Sequence, residues 1–185
     1  MSASTYPAWI FDGSPIPDPF GCGDRAVRFL RALKHPASTA PGNAFQLFEW
    51  QERIVRRIYG PRHPDGRRVV ETVFLMLPRG NRKTSLAAAL ALLHTIGPER
   101  VPGGQVIFAA SDREQAGLGF REAANIVRMD RRLIAATRIY DAHNSVKKIV
   151  FRRDDVSLQA ISSDGAAQHG KTPAFVLRHE IHVWK

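Results

Sequence analysis

A chain of 185 residues, 44% of them hydrophobic and 24% charged, is long enough to bury one sizeable core and too short for two comfortable domains. No apolar run approaches the ~18 residues of a membrane span, no basic stretch followed by an apolar one opens the chain, and the single cysteine, Cys22, excludes an internal disulfide or a cysteine-built zinc cluster and agrees with a cytoplasmic setting. The formal net charge of +10 favours a polyanionic partner, nucleic acid first, with a solvated basic surface as the equal alternative.

In chain order, residues 1–44 are rich in Pro, Gly and Ser and read as an irregular arm with one short helix over 24–34, its apolar positions Ala26, Val27, Phe29, Leu30 and Leu33. The spacing of Leu47, Trp50, Ile54, Val55 and Ile58 predicts an amphipathic helix over 45–59, ended by Gly60-Pro61, with a turn at His63-Pro64-Asp65-Gly66. An α/β rhythm follows. The β-branched, apolar run 69–77 reads as a buried strand, 78–84 as a polar loop, and 85–96 as an Ala/Leu helix. A second buried strand is expected over 105–110 and a helix over 112–127 with Ser111 or Asp112 as its cap. Short strands are expected over 138–140, 147–151, 157–161 and 174–177. Strands alternating with helices predict a mostly parallel sheet covered on both faces.

The loop Leu77-Pro78-Arg79-Gly80-Asn81-Arg82-Lys83-Thr84 lies between an expected strand and an expected helix. A nucleotide phosphate needs inward-facing backbone N–H groups, a helix N-terminus behind it and a lysine on the β/γ oxygens, and a hydroxyl after the lysine suits Mg²⁺. Lys83 and Thr84 stand where those groups belong. The standard spelling G-x-x-x-x-G-K-[ST] is not met, because Pro78 and Arg82 occupy its two glycine positions, so by its spelling alone the loop also reads as a basic turn facing solvent or nucleic acid.

The same heptad, residues 78–84, resembles the deviant Walker A of phage terminase large subunits, commonly Pro-Arg-x-Asn-Gly-Lys-Ser/Thr. The likeness continues through Phe45-Gln46-Leu47-Phe48-Glu49-Trp50-Gln51, similar to the family's Leu-x-x-Trp-Gln segment, and through residues 58–60 and 65–68. Further on it takes in residues 106–116, residues 160–164 and Phe175-Val176-Leu177-Arg178-His179-Glu180-Ile181-His182, which resembles a Walker B strand ending in Asp-Glu-x-His. The resemblance spans about residues 20–185 and rests on the order and spacing of these pieces. It implies a P-loop NTPase-type fold over 45–185 behind the arm 1–44, an ATPase that drives double-stranded DNA into a capsid, and host-cell cytoplasm as the setting. It also implies portal protein and a small terminase subunit as partners, a homo-oligomeric ring, no membrane, and a chain that stops short of the family's C-terminal nuclease.

Carried over residue by residue, the resemblance implies ATP and Mg²⁺ as cofactors. Gln51 would contact adenine. Gly80, Asn81, Arg82, Lys83, Thr84 and Ser85 would cradle phosphate, and Thr84 would ligate Mg²⁺. Lys83, Arg79 and Glu180 would be catalytic: Lys83 on the β/γ-phosphates, Arg79 on the γ-phosphate, Glu180 orienting the attacking water. The ordinary alternatives are a surface turn for Lys83, an ion pair for Arg79 and a solvated carboxylate for Glu180. Two departures bear on activity. His179 stands where the family has the metal-holding Asp, with Asp164 or another carboxylate as substitute or hydrolysis impaired. Arg82 replaces a glycine, harmlessly at negative φ and with about 1–2 kcal/mol of strain at positive φ. The alternative function is therefore a catalytically impaired or truncated basic module that binds nucleic acid. Trp50 and Trp184 read as core aromatics, His182 as a local hydrogen-bonding residue, and residues 169–171 as a turn or a nucleotide-facing loop. The cations Arg128, Arg131, Arg132, Lys147, Lys148, Arg152 and Arg153 read as a DNA-phosphate surface, with a solvated face as the equal alternative for any single one.

Overall fold

The computed structural model describes residues 8–142, 147–162 and 173–179. Its helices are α1 (Cys22–Ala32), α2 (Glu49–Tyr59), α3 (Lys83–Thr95), α4 (Arg113–Arg128) and α5 (Arg131–Ala136). Its strands are β1 (Gln105–Ala110), β2 (Thr137–Tyr140), β3 (Lys148–Phe151), β4 (Val156–Ser162) and β5 (Phe175–Arg178), in the order β2-β3-β4-β1-β5. β1 pairs parallel with β4 and with β5, while β3 runs antiparallel to both β2 and β4, so β3 alone opposes the others. The expected α/β class and mostly parallel sheet are those observed.

Alternation along the strands sorts the sheet into two faces. Val106, Phe108, Ile149, Val156 and Leu158 belong to the core together with α1, α2, α3 and α4 side chains, and Ala160, Phe175 and Leu177 pack against it. The helix α3 is Ala- and Leu-rich, which favours helix, and it is buried nearly all round from Leu86 to Thr95, which places it inside the core rather than on its rim. α4 crosses the same face. Its Gly119 is required there, because a Cβ at that position would lie 2.0 Å from Cζ of Phe108. Asp112 caps α4 by accepting from the N–H of Gln115 at 2.8 Å, as expected for an N-cap carboxylate.

The opposite face, with Ile107, Ala109, Val150, Ile161 and Val176, contributes no member to that core. Ile107 (4% exposed) and Ala109 (5% exposed) on this face are buried as well, in keeping with the expected cover on both faces of the sheet. The two helices that pack on it, α3 and α4, pack against each other and so share a side.

The run 69–77 departs from expectation. It forms no strand; Phe74 is 70% and Met76 82% exposed. β-branched, apolar sequence describes a residue that fits a half-buried pleat, not an autonomous backbone preference, and a strand without a partner ladder does not hold. The described sheet ends at β5 and pairs with no residue of 69–77. The segment before it is well anchored instead: Glu99, in the turn after α3, accepts from Arg62 at 2.9 Å and Arg68 at 2.8 Å.

The helix expected within residues 1–44 is α1, and it packs into the core. Ala26, Val27 and Leu30 are fully buried against α2 and α3. α2 begins at Glu49, four residues later than its apolar pattern suggests, and buries Gln51 and Tyr59 besides Ile54 and Val55, whereas Leu47, Trp50 and Ile58 are half-buried. The short helix α5, capped by Asp130, has too few turns to show a period in the sequence.

Candidate functional site

The loop 78–82 delivers the chain into the N-terminus of α3. Gly80 has φ +87° and Arg82 φ +51°, with Asn81 between them outside the left-handed region. Alternating signs of φ turn successive N–H groups toward one side, the backbone form of an anion-binding concavity. The first helical bond of α3 runs from the N–H of Leu86 to the carbonyl of Arg82, so the N–H groups of Lys83, Thr84 and Ser85 precede the intrahelical ladder and stand at the positive end of the helix dipole. Lys83, Thr84 and Ser85 are half-buried; Arg79, Gly80 and Arg82 are exposed. The open fork at position 82 closes on the strained branch. Arg82 takes a left-handed conformation that glycine would adopt freely, held by a hydrogen bond to Oε1 of Gln46 at 3.0 Å and by its guanidinium over the Phe48 ring.

Several side chains hold the loop in place. Asn81 closes it on itself, its Nδ2 donating to the carbonyl of Pro78 at 3.2 Å. Gln51, 2% exposed, accepts from the N–H of Phe48 at 3.1 Å, satisfying one orphan donor at the start of α2, and its Nε2 donates to the carbonyl of Asn81 at 3.4 Å. Its amide thus ties α2 to the loop. Ser85 donates to Oε1 of Glu122 on α4, and the same oxygen meets Nε2 of His35 at 2.7 Å. Neither His35 nor Glu122 belongs to the sequence-derived site. His35, in the segment after α1, and Glu122, on α4, approach α3 only through packing, and they leave no local signal.

β5 brings the second wall. The backbone N–H of His179 donates to the carbonyl of Ala109 at 2.8 Å, which extends the β5–β1 ladder by one residue and points the imidazole to the helix-covered face. There its ring lies 5.8 Å from that of Phe108, and Nε2 stands 3.5 Å from Oγ1 of Thr84. The structure therefore joins the loop to the tip of β5 through Thr84 and His179. Glu180, Asp164, residues 169–171, His182 and Trp184 lie outside the described residues.

Among the described residues, the donor set at this junction is one hydroxyl and one imidazole. The hydroxyl of Thr84 suits a hard cation, while the imidazole does not suit Mg²⁺, which demands near-octahedral oxygen coordination. Among the described residues no group of three or more His, Cys, Asp or Glu side chains is placed to hold a metal. The residues present thus fit a nucleotide phosphate better than they fit Mg²⁺.

Beneath the site, His94 of α3 is 3% exposed, stacks on Phe175 of β5 with ring centroids 3.8 Å apart, and meets the hydroxyl of Tyr59 through Nε2 at 2.9 Å. Burial, and secondarily the Arg68 guanidinium, hold its pKa down at about 3, against the opposing pull of a hydrogen bond to the Glu99 backbone. The imidazole is neutral, and burial likewise raises the Tyr59 hydroxyl above its usual range, so that it stays protonated. A histidine inside an Ala/Leu helix is the sequence signal for such a buried, satisfied polar pair.

The chain is similar to known proteins. Residues 49–185 match the family model described as "Terminase large subunit, ATPase domain". The large terminase subunit of Enterobacteria phage HK97 is 29% identical over 159 residues, covering 85% of this chain and 30% of the relative. The crystal structure of the HK97 bacteriophage large terminase superposes with a TM-score of 0.72 at 27% identity, covering 84% of this chain and 30% of that one. The chain spans about 30% of the length of these relatives, and no helix among the described residues is long and apolar enough to cross a membrane. By that family match over residues 49–185, the chain, whose loop and helix N-terminus meet the tip of a parallel strand, belongs to the family of terminase large subunit ATPase domains.

Proposed function

We propose that residues 78–85 bind ATP and that residues 45–185 form a motor ATPase domain, behind the arm 1–44, which hydrolyses it to drive double-stranded DNA into a capsid. The observation that carries the reading is the convergence of Thr84, at the first turn of α3, with His179, at the end of β5, across 3.5 Å. Open parallel sheets bind ligands outside the carboxyl ends of their strands, and here a left-handed loop and a helix N-terminus meet that edge. In this reading the backbone of Gly80, Asn81 and Arg82 and the N–H groups of Lys83, Thr84 and Ser85 receive the phosphate oxygens. Lys83 neutralises the β/γ charge, exposed Arg79 supplies transition-state charge at the γ-phosphate, and Glu180, which follows His179 in sequence, orients water. Gln51 positions the loop through Asn81 and, by the family resemblance, meets adenine. Portal protein, a small terminase subunit and further copies of this chain in a ring are the assembly partners, in the host-cell cytoplasm.

Equilibrium binding of labelled ATP tests the reading: Lys83→Ala is expected to weaken binding about tenfold or more, because one charge-assisted contact to phosphate is worth about 1.5–3 kcal/mol. Equal binding by wild type and variant, or none by either, rejects it. A second reading, a basic module with impaired hydrolysis, is favoured by the imidazole of His179 beside Thr84 and by the strained Arg82. It predicts ATP binding without turnover.

A further inference from the structure

We infer that the cation position beside the phosphate loop selects a late first-row divalent ion, of the Co²⁺, Ni²⁺ or Zn²⁺ class, over Mg²⁺; the inference rests on the nucleotide-binding reading above. Two ligands in neighbouring positions on one such ion, each about 2.1 Å from it, lie about 3 Å apart. Oγ1 of Thr84 and Nε2 of His179 are 3.5 Å apart, so a small side-chain rotation brings both onto a single ion, with nucleotide oxygens and water completing the shell.

The imidazole cannot leave that position cheaply. His179 is 9% exposed, its backbone is fixed to Ala109 at 2.8 Å, and its ring rests against Phe108. Thr84 is equally fixed by the first turn of α3. Imidazole nitrogen suits the later first-row ions and adds little for Mg²⁺, whose affinity comes from oxygen donors. Affinity rises from the early first-row ions toward Cu²⁺, and an imidazole nitrogen steepens that rise, so the pair built by these two residues favours the later ions more strongly than an all-oxygen site does.

Co²⁺ and ADP are the probes. In the wild-type chain, ADP is expected to bind about tenfold tighter with Co²⁺ than with Mg²⁺, and the Co²⁺–ADP complex is expected to show paramagnetically shifted imidazole proton resonances. His179→Asp should abolish those resonances and narrow the metal preference. ADP binding of equal strength with the two ions, or a Co²⁺–ADP complex of the wild type with no shifted imidazole resonance, overturns the inference while leaving the nucleotide site standing. The wild-type spectrum decides this even if the variant fails to fold. Absence of ADP binding with either ion and in EDTA overturns the nucleotide-binding reading, and the metal preference with it.

Discussion

At the scale of single residues, position 82 sets two effects of similar size against each other. A non-glycine side chain in the left-handed region costs about 1–2 kcal/mol. The Arg82 side chain returns about 0.5–1 kcal/mol from its contact with Phe48 and about 0.5–1.5 kcal/mol from its hydrogen bond to Gln46. Arg82→Ala keeps the backbone strain and loses both contacts, so urea unfolding should show a loss of about 1 kcal/mol. Arg82→Gly loses the same contacts but relieves the strain and should fall within about 0.5 kcal/mol of wild type. If the alanine variant is the more stable of the two, the loop does not take the positive φ described here. At position 179, replacing the imidazole by a carboxylate supplies the oxygen that Mg²⁺ favours. His179→Asp should therefore raise Mg²⁺-dependent ATP turnover by about tenfold. Unchanged turnover in a folded variant argues against the assignment of this position.

At the scale of elements, α3 is the strut on which the site depends, and its buried His94 makes that strut sensitive to acid. The folded pKa, about 3, lies below the ordinary histidine value of 6.5. Below pH 6.5 the unfolded chain takes up a proton that the folded chain refuses. The stability is thus fully present above 6.5 and is lost progressively as pH falls toward 3. At 1.36 kcal/mol per unit, about 2 kcal/mol should disappear between pH 6.5 and 5. Denaturant melts at pH 7.5, 6 and 5 measure this loss, and in His94→Gln, which retains a partner for Tyr59, the slope should flatten. Because His94 stacks on Phe175, the same protonation bears on how β5 sits against α3, and so on the approach of His179 to Thr84.

At the scale of the whole molecule, the net charge of +10 is partly organised by the sheet. Pairing register places Arg138, Lys148 and Arg178 on the face opposite the one that α3 and α4 cover. If that face meets DNA phosphates, three such contacts give a log–log salt slope near −3, a loss of about 10- to 100-fold in affinity from 50 to 200 mM salt, with no preference among duplex sequences. Fluorescence anisotropy with two unrelated duplexes measures both features; salt-independent or sequence-selective binding rules out this use of the face.

Much of this was legible in the chain itself. Ala/Leu composition made α3 a helix, five consecutive apolar residues after Gln105 made β1 a buried strand, and the Asp112 cap marked where α4 begins. The order of loop, strand and strand tip placed Lys83 and Thr84 at a helix mouth and His179 at a strand end. What the sequence determined, then, was each element whose cause is local: side-chain periodicity, capping and turn chemistry. The rest was decided only in three dimensions. Residues 69–77 have the composition of a strand but no neighbouring edge among the described residues, and a strand exists only as part of a ladder. The sign of φ at Arg82, the commitment of Ser85 to Glu122 and His35, and the meeting of Thr84 with His179 all join residues far apart in the chain or depend on packing around them. Local propensity is blind to such pairs, because the energy that selects them arises only when separate elements bury their surfaces against one another.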